Sequence, residues 1–570
     1  MKILGISCFY HDAAAVLIDD GRIVAAAEEE RFSRIKHDSG FPKHAVDFCL
    51  KYGGVKPKDL NWVTFYEKPF TKFERLTLSF LATAPSARES FVNAYRSWFK
   101  SKLWIKSIIA KEVGVADNKI LFTGHHLAHA AAAFYTSPFD KAAILTCDGV
   151  GEWTTTAWGK AEEGKVNLDW ELKFPHSLGL LYSVFTQFLG FQINEGEFKV
   201  MGLAPYGSPI YVDRVEKLIQ QSADGSFKLN MSYFKFHYSD KVSYNQKFID
   251  LFGVPSVDPK DSDEVKQVYA DIAASAQKVL DDKLLVIAKY VRQRTGMENL
   301  CYAGGVALNG VTNWKIYKEA GFKNIFVHPA AGDSGGAMGS ALYVYHHILS
   351  NPKKRKFEGP YFGFENSEED IEKFIRDNSI QAVKLSDSEL TRKVGVMLVK
   401  RKVVGWVKGR FEWGPRALGN RSILADPRDR KMKDLVNAKI KFREAFRPFA
   451  PVALYEYADK YFDVGKNGLK QKVLEYMIAV VPVRPQWQRK LGAITHVDGT
   501  ARPQFIKRNT NAPYYDVVKE FGRRTGVYCL LNTSFNLKGE PIVNTCEDAY
   551  DTFMKSGIDV LVLGNYLIEK

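Results

Sequence analysis

Two histidines and two aspartates have the residue types and spacing of a divalent-metal site. His125 and His129 are four residues apart, so on a helix both imidazoles lie on one face, one turn apart. Asp148 ends an apolar run, and Asp333 lies in a Gly-rich segment after another; ligand sites of α/β folds open at such strand ends. Histidine pairs at this spacing are more often structural than metal-binding, yet imidazole and carboxylate together form a mixed N/O ligand set. The four residues therefore predict a metal centre.

Two further polar segments follow predicted strands, and each has two open interpretations. His11 and Asp12 are either a turn pair, in which the aspartate bonds nearby backbone, or a general base with its orienting partner. Gly304 and Gly305, with Asn309 after them, are either a strand–helix turn or a place where a nucleotide approaches the backbone.

A dense basic constellation lies nearer the C-terminus. The loop 408–422 places four cations among glycine, proline and aromatic residues, and basic residues recur over 439–447. Alternation predicts that Lys439, Lys441 and Arg443 share one face of an extended segment. Because arginine binds phosphate bidentately, we expect a phosphate or nucleotide site. Its candidate residues are Arg410, Arg416, Arg421, Lys439, Lys441, Arg443, Arg447, Arg502, Ser534 and Asn536.

Elements that position these residues are visible as apolar and periodic runs. We predict strands at 3–7, 13–18, 23–28, 153–159, 299–303, 324–328 and 403–407, one strand ending at Asp148, and helices at 42–52, 262–294, 387–401 and from Gly336. The segment 69–113 is rich in aromatic and basic residues. We interpret it as a helical insertion with inward aromatics, the alternative being an acceptor-binding or membrane-surface patch. A composition break near 350–360 predicts two domains, 1–355 and 356–570.

Bulk composition limits the class of protein. The 570 residues are too many for one ordinary core, and 46% hydrophobic with 25% charged residues is typical of soluble globular proteins. A net charge of +15 with no long basic run favours local anion sites over a nucleic-acid surface. The six cysteines form no C-x-x-C pair, which fits a cytoplasmic location. Neither a signal peptide nor a membrane span is expected.

Longer motifs extend over nearly the whole chain, and as a set they resemble one family. They are His-Asp-Ala-Ala-Ala at 11–15, Ala-Ala-Glu-Glu-Glu-Arg-Phe-Ser-Arg-Ile-Lys-His at 26–37, His-His-x-x-His-Ala at 125–130, Met-Gly-Leu-Ala-Pro-Tyr-Gly at 201–207, Gly-Gly-Val-Ala-Leu-Asn at 304–309 and Trp-Gly-Pro-Arg-Ala-Leu-Gly-Asn-Arg-Ser at 413–422. The chain resembles the O-carbamoyltransferases of the nodulation-factor and antibiotic type, the NodU/CmcH group.

The resemblance implies an α/β protein of two domains. The first would be Kae1-like, a member of the actin/sugar-kinase/Hsp70 superfamily with a duplicated ribonuclease-H-like core. The second would be a YrdC-like twisted α/β domain. Metal ligands carry over to the two histidines and two aspartates, with iron(II) or another divalent ion expected, and His11 carries over as the candidate base. The Lys-x-Arg and Ser-x-Asn signature of the second domain matches Lys441/Arg443 and Ser534/Asn536.

The implied activity is ATP-dependent O-carbamoyl transfer. Carbamoyl phosphate would yield carbamate, which ATP with Mg²⁺ captures as carbamoyl adenylate, and the carbamoyl group then passes to a hydroxyl of a natural product or sugar. Expected partners are these small molecules, without nucleic acid, and a homodimer stays open. Alternatives are a tRNA threonylcarbamoyl-modifying enzyme, a sugar kinase of the same superfamily and a non-catalytic nucleotide-binding module. Segments 69–113 and 208–262 match nothing in the family, so the acceptor is not identified.

Overall fold

A computed structural model describes residues 1–100, 102–261, 266–442 and 444–570, with the side chains of Ser97, Lys100 and Asp261 left out. The chain forms two compact units. The first comprises residues 1–26 and 39–357, and the second comprises residues 27–38 and 358–570. The sequence placed the division between residues 355 and 356, and it assigned the segment 27–38 to the first unit.

The first unit contains two five-stranded sheets and a separate two-stranded pair. Its strands are β1 (Lys2–Ser7), β2 (Ala14–Asp19), β3 (Arg22–Glu28), β4 (Trp62–Phe65), β5 (Ile120–Phe122), β6 (Ala142–Cys147), β7 (Thr154–Glu162), β8 (Lys165–Lys173), β9 (Ile219–Gln221), β10 (Phe227–Leu229), β11 (Asn299–Ala303) and β12 (Asn324–Val327).

The two larger sheets repeat one topology. Their orders are β3-β2-β1-β4-β5 and β12-β11-β6-β7-β8. In each, the first strand pairs antiparallel with the second and parallel with the fourth, as β1 does with β2 and β4 and as β6 does with β7 and β11. This duplicated ribonuclease-H-like core confirms the predicted actin/Hsp70-type fold of the first unit.

Helices cover and connect these sheets. Those before residue 350 are α1 (Glu30–Ser33, in the second unit), α2 (Lys43–Tyr52), α3 (Pro69–Ala82), α4 (Arg88–Lys100), α5 (Ile105–Val113), α6 (His125–Thr136), α7 (Leu178–Phe188), α8 (Glu197–Leu203), α9 (Val212–Glu216), α10 (Gln246–Phe252), α11 (Gln267–Thr295), α12 (Gly310–Glu319) and α13 (Asp333–Tyr343). Short 3₁₀ turns lie at Pro57–Asp59, Lys102–Trp104, Asp117–Lys119, Ala204–Tyr206, Met231–Tyr233, Pro259–Asp261 and Gly305–Leu308, and Val344–Ile348 is a π turn.

Most of the predicted elements of the first unit are present with small shifts of their ends. The long helix predicted at 262–294 spans Gln267–Thr295, and residues 262–265 lie outside the described residues. The helix predicted from Gly336 begins earlier, at Asp333. In the insertion 69–113, aromatic rings pack between α3 and α4, with Phe73 and Trp98 5.5 Å apart. The predicted inward packing holds for only part of the set, because Phe70, Phe99 and Trp104 are 56–74% exposed.

Helices α6 and α13 approach each other at a glycine. A Cβ added at Gly339 would lie 1.8 Å from the backbone oxygen of Ala128. No larger residue fits without moving a backbone, so glycine at this position permits the close approach. Because α6 begins with both histidines of interest and α13 begins at Asp333, this packing sets how far apart their ends lie.

The second unit is built on one eight-stranded mixed sheet of order β13-β22-β21-β14-β15-β20-β16-β19 and a small pair, β17-β18. Its strands are β13 (Val383–Lys384), β14 (Val404–Val407), β15 (Arg421–Ala425), β16 (Ala450–Leu454), β17 (Val481–Pro482), β18 (Thr500–Ala501), β19 (Gln504–Ile506), β20 (Cys529–Ser534), β21 (Val560–Leu563) and β22 (Tyr566–Glu569). Its helices are α14 (Glu368–Asp377), α15 (Asp387–Val399), α16 (Lys431–Val436), α17 (Ala458–Tyr461), α18 (Gly465–Gly468), α19 (Pro485–Gln488), α20 (Ala512–Thr525) and α21 (Cys546–Met554). Shorter 3₁₀ turns lie at Tyr455–Tyr457 and Lys472–Leu474.

The basic segment that follows α16 differs from its prediction. Residues Asn437–Lys441 form a π-helical turn rather than an extended strand, so the predicted common face of Lys439 and Lys441 is wrong. Lys439 is exposed whereas Lys441 is buried. The third cation of that prediction, Arg443, lies outside the described residues.

Among the described residues, no helix is both long enough and apolar enough to cross a membrane.

Candidate active site

The four predicted metal ligands come together in the first unit. One ligand atom from each of His125, His129, Asp148 and Asp333 lies within 4.8 Å of all the others. The Nε2 atoms of the two histidines are 3.0 Å apart, and Asp148 Oδ2 is 2.8 Å from the first and 3.2 Å from the second. Asp333 Oδ1 lies 3.7 and 3.6 Å from the same two nitrogens.

Each ligand is held by the element that carries it. Asp148 follows β6, and its Oδ1 accepts hydrogen bonds from the backbone N–H groups of Gly149 (2.8 Å) and Gly305 (3.1 Å), which leaves Oδ2 for the histidines. Glu152 accepts from the backbone N–H of His125 at 3.1 Å and so fixes the first residue of α6. Sequence reasoning missed Glu152, because a carboxylate that binds backbone has no spacing motif.

Charges in this cluster compensate one another. Burial alone would lower the pKa of His129, but its hydrogen bonds to Asp148 and Asp333 raise that pKa to about 9. Burial would raise the pKa of Asp148, yet His125 and His129 hold it well below its ordinary value. The neighbouring His126 is structural: it bonds Thr146 Oγ1 and Thr154 O, and burial lowers its pKa to about 3.

This donor set fits a divalent cation. Two imidazole nitrogens and two carboxylates converge in a buried place, with His129 only 1% exposed. The two Nε2 atoms lie 3.0 Å apart. A proton or a metal cation is needed among these nitrogens and the carboxylates, because lone pairs and negative charges repel one another at such distances. Mixed N/O sets of this kind suit iron(II), manganese(II) or zinc.

His11 lies beside the metal ligands. Its Nδ1 is 3.0 Å from Asp12 Oδ2, and its Nε2 is 3.8 Å from Asp333 Oδ2. Burial would lower the pKa of His11, but Asp333 and Asp12 raise it to about 9. Asp12 therefore orients the ring through Nδ1, and Nε2 faces the metal ligands.

The Gly-rich segment after β11 is occupied by contacts within the protein. Gly304 has φ +94°, and a Cβ there would lie 2.2 Å from the oxygen of Cys147. Asn309 caps α12, with its Oδ1 3.3 Å from the N–H of Thr312, and its Nδ2 donates to Gln277 at 3.0 Å. The segment thus positions Asp148 and α12, and its part in nucleotide binding stays a prediction.

In the second unit, Lys441 meets the predicted Ser-x-Asn pair. Its Nζ donates to Ser534 O at 2.5 Å, to Asn536 Oδ1 at 2.8 Å and to Asn536 O at 3.0 Å. Ser534 Oγ donates to Asn536 Oδ1 at 2.7 Å. The structure therefore brings three of the four signature residues together at the end of β20, the fourth being Arg443.

Three arginines form a second group, which we call the arginine cluster: Arg416, Arg447 and Arg502. Burial, then the charges of Arg502 and Arg447, hold the pKa of Arg416 well below its ordinary value. Burial, then Arg447, lowers the pKa of Arg502 to about 10. Arg447 pairs with Glu444 at 3.3 Å, but among the described residues neither Arg416 nor Arg502 has an ion pair with a carboxylate. The cluster is thus a half-buried concentration of positive charge.

Arg410 and Arg421 build the loop rather than extend the cluster. Arg421 is 0% exposed and donates to the backbone oxygens of Gly409, Asn420 and Phe364 at 2.8–2.9 Å. Arg410 donates to the backbone oxygens of Phe362 and Gly363. Both guanidinium groups are therefore occupied with backbone, and Arg421 is not placed to bind a ligand.

A cavity of about 560 Å³ lies beside the same loop. It is lined by neutral polar and apolar residues, by Glu365 and Glu368, and by Lys408 and Arg410. Lys408 is paired with Asp387 at 3.0 Å, and Arg410 donates to backbone oxygens. Because the two carboxylates of the wall offset its two cations, this cavity suits phosphate less well than the arginine cluster does.

Comparisons with known proteins agree with this arrangement. Residues 2–342 match the family model for the carbamoyltransferase N-terminus, and residues 396–570 match the model for the carbamoyltransferase C-terminus. An uncharacterized protein of Synechocystis is 45% identical over 100% of this chain and 96% of its own length. Nodulation protein NolNO of Sinorhizobium fredii is 38% identical over 99% of this chain and 79% of its own length.

Among solved structures, component A of the (R)-2-hydroxyglutaryl-CoA dehydratase of Acidaminococcus fermentans is 16% identical, with a TM-score of 0.34, over 61% of this chain and 100% of its own. The two family models together cover most of the chain, and the division between the two units at residues 357 and 358 lies in the stretch 343–395 between them. The chain therefore belongs to the carbamoyltransferase family and is a transferase enzyme.

Proposed function

We propose that this protein is an O-carbamoyltransferase that divides two half-reactions between its units. The second unit makes carbamoyl adenylate from carbamoyl phosphate, ATP and Mg²⁺, releasing inorganic phosphate and pyrophosphate. The first unit then transfers the carbamoyl group to a hydroxyl of a small acceptor, a natural product or a sugar, and AMP leaves.

One observation supports this division above all. The second unit concentrates three guanidinium groups, while the first unit concentrates histidines and carboxylates. Arg416 and Arg502 are cations without a carboxylate partner among the described residues. Guanidinium groups held in this way stabilise the negative charge that develops on phosphoryl oxygens. A carbamoyl transfer that began directly from carbamoyl phosphate at the first unit would need no such cluster.

In the adenylate-forming half-reaction, water first cleaves carbamoyl phosphate to carbamate and inorganic phosphate. A carbamate oxygen then attacks the α-phosphorus of ATP, and the bond from that phosphorus to pyrophosphate breaks. The arginine cluster binds the phosphate oxygens, and Mg²⁺ accompanies ATP. Lys441 holds Ser534 and Asn536 through contacts of 2.5–3.0 Å, which preorganises these polar groups for the nucleotide.

In the transfer half-reaction, the acceptor oxygen attacks the carbonyl carbon, the bond from carbon to the AMP oxygen breaks, and the acceptor proton passes to neutral His11. Asp12 holds the His11 ring through Nδ1, with Nε2 on the side of Asp333. His125, His129, Asp148 and Asp333 would hold a divalent cation, iron(II) in the first place. It would supply Lewis-acid polarisation of a carbonyl oxygen and would offset the carboxylate charge that raises the pKa of His11. A free alcohol is a weak nucleophile, so base and polarisation are both needed.

The test is pyrophosphate release from ATP, with and without carbamoyl phosphate, in the absence of an acceptor. We expect release that depends on carbamoyl phosphate in the wild type and is lost in Arg502→Gln. Arg489→Gln is the matched control, since Arg489 is an exposed arginine of the same unit that belongs to none of the sites described. Release that ignores carbamoyl phosphate, or transfer of the γ-phosphate to a sugar, would contradict the proposal.

A further inference from the structure

The insertion 69–113 contributes one buried cation that the proposed reaction does not use. Arg75 lies on α3 and is only 6% exposed. Its Nε is shielded from solvent without a hydrogen-bond partner, and the guanidinium makes no ion pair with the described residues. Among the described residues, the guanidinium makes a cation–π contact with Phe174, whose ring centroid is 5.0 Å from Arg75 Cζ. A buried guanidinium with unsatisfied donors is costly unless a ligand completes its bonds.

Neighbouring carboxylates are already occupied. Glu67 accepts from Lys72 Nζ at 2.5 Å, and both side chains are buried. Glu152 accepts from two backbone N–H groups, those of Lys68 and His125. Arg75 is therefore left without an ion pair among the described residues, as is the nearby but less buried Lys102. Burial lowers the pKa of Arg75 to about 10, so it stays charged at neutral pH.

Arg75 lies near the residues that surround the candidate metal ligands, because the charges that act on its guanidinium are those of Tyr10, Glu67 and Glu152. Lys72, one turn before Arg75 on α3, lies with Nζ 5.0 Å from the ring of Tyr10, and that ring is 4.6 Å from the ring of His11. The residue before Glu152 is Gly151, which packs against His125. A Cβ added at Gly151 would lie 3.0 Å from the His125 side chain. Arg75 thus belongs to the shell of residues around His11 and His125.

We propose that Arg75 binds an oxyanion, phosphate or carboxylate, carried by the ligand that reacts at the metal centre. The planar guanidinium with free donors has the shape for bidentate binding of such a group. Within the proposed function, on which this inference rests, the oxyanion has two sources: the phosphate of the carbamoyl adenylate or an acidic group of the acceptor. The insertion would then be the element that selects an anionic ligand.

The experiment measures calorimetric binding of two probes to the full chain: AMP, and D-glucuronate with uncharged D-glucose as its match. The variants are Arg75→Gln, Arg75→Lys and the control Arg96→Gln, an exposed arginine on α4 of the same insertion. We expect Arg75→Gln to weaken the binding of one of the two anions at least tenfold and Arg75→Lys to weaken it less. Arg96→Gln should bind both anions as the wild type does. Circular dichroism of each variant reports folding separately, and Arg75→Lys keeps the charge and most of the packing.

Each outcome has one meaning. Loss of an AMP-binding component assigns the oxyanion to the donor. Loss of glucuronate binding with unchanged AMP binding assigns it to the acceptor. The inference is overturned if the wild type binds neither AMP nor glucuronate, or if Arg75→Gln binds both as tightly as the wild type does. It is also overturned if Arg75→Gln weakens glucose binding as much as it weakens glucuronate binding. Pyrophosphate release in the same preparations tests the proposed function independently, because Arg75→Gln leaves the second unit intact.

Discussion

Arg416 offers a prediction in which stability and activity change in opposite directions. Arg416 is half-buried, and the charges that act on it are those of Arg502 and Arg447, with no carboxylate contributing. Replacing Arg416 with glutamine removes this repulsion from the ligand-free protein. As a general guide, two unit charges about 7–10 Å apart repel by about 2 kcal/mol at an effective dielectric constant of about 20. After loss of part of the side-chain packing, we expect a net stabilisation of about 1–2 kcal/mol.

For a unit of this size, each kcal/mol shifts the melting temperature by roughly 2–4 °C, so Arg416→Gln should melt about 2–8 °C above the wild type. The same change removes charge-assisted hydrogen bonds to phosphate, each worth about 1.5–3 kcal/mol. Pyrophosphate release should therefore fall in kcat/KM by on the order of 10- to 100-fold. Differential scanning calorimetry and the acceptor-free assay measure the two effects on one preparation.

Arg421→Gln is the matched comparison. Arg421 donates to three backbone oxygens and is fully buried, so its loss should lower the melting temperature and the activity together. If Arg416→Gln behaves in the same way, Arg416 is a structural residue and the electrostatic reasoning is refuted. Unchanged pyrophosphate release in Arg416→Gln would remove it from the phosphate site.

Three further perturbations test separate parts of the protein. His11→Asn should keep pyrophosphate release but abolish transfer of labelled carbamoyl to a panel of hydroxyl acceptors; loss of both activities would contradict the division of labour. His129→Gln, or removal of metal by chelation, should lower bound divalent metal measured by mass spectrometry and leave pyrophosphate release unchanged. Asp281→Asn should change the pH dependence of unfolding. Burial raises the pKa of Asp281 to about 6, so the folded state binds more protons than the unfolded state between about pH 4 and 6, and this group's contribution to stability falls as pH rises through that range. The difference in melting temperature between Asp281→Asn and the wild type should grow from pH 4 to pH 6, and a constant difference would contradict the assignment.

Sequence patterns predicted what depends on periodicity and on residue type. The four candidate metal ligands come from segments that are far apart in the sequence. Each lies at or near the end of a strongly apolar element, and such ends can be located from the hydrophobic pattern. The family resemblance pairs Lys441 with Ser534 and Asn536, and in the structure their contacts join the turn after α16 to the end of β20.

Other features depend on tertiary contacts that the spacing of residues in the sequence does not reveal. Arg416 and Arg421 belong to one motif. Arg416 has no carboxylate partner within the described part of the chain, whereas Arg421 donates to three backbone carbonyl oxygens. Only the path of the loop distinguishes them. The π-helical turn that separates Lys439 from Lys441 replaced the predicted strand, since alternation of charge is equally compatible with a short helical turn. Arg75 was hidden for a similar reason: burial of a cation in an insertion requires its tertiary neighbours.

Glu152 gives the metal centre a mechanical connection to the insertion. One carboxylate receives the N–H of Lys68, the residue before α3, and the N–H of His125, the first residue of α6. A ligand that draws α3 inward therefore also pulls on the backbone that carries a metal ligand. Since such coupling is reciprocal in binding free energy, metal occupancy and ligand affinity should report on each other.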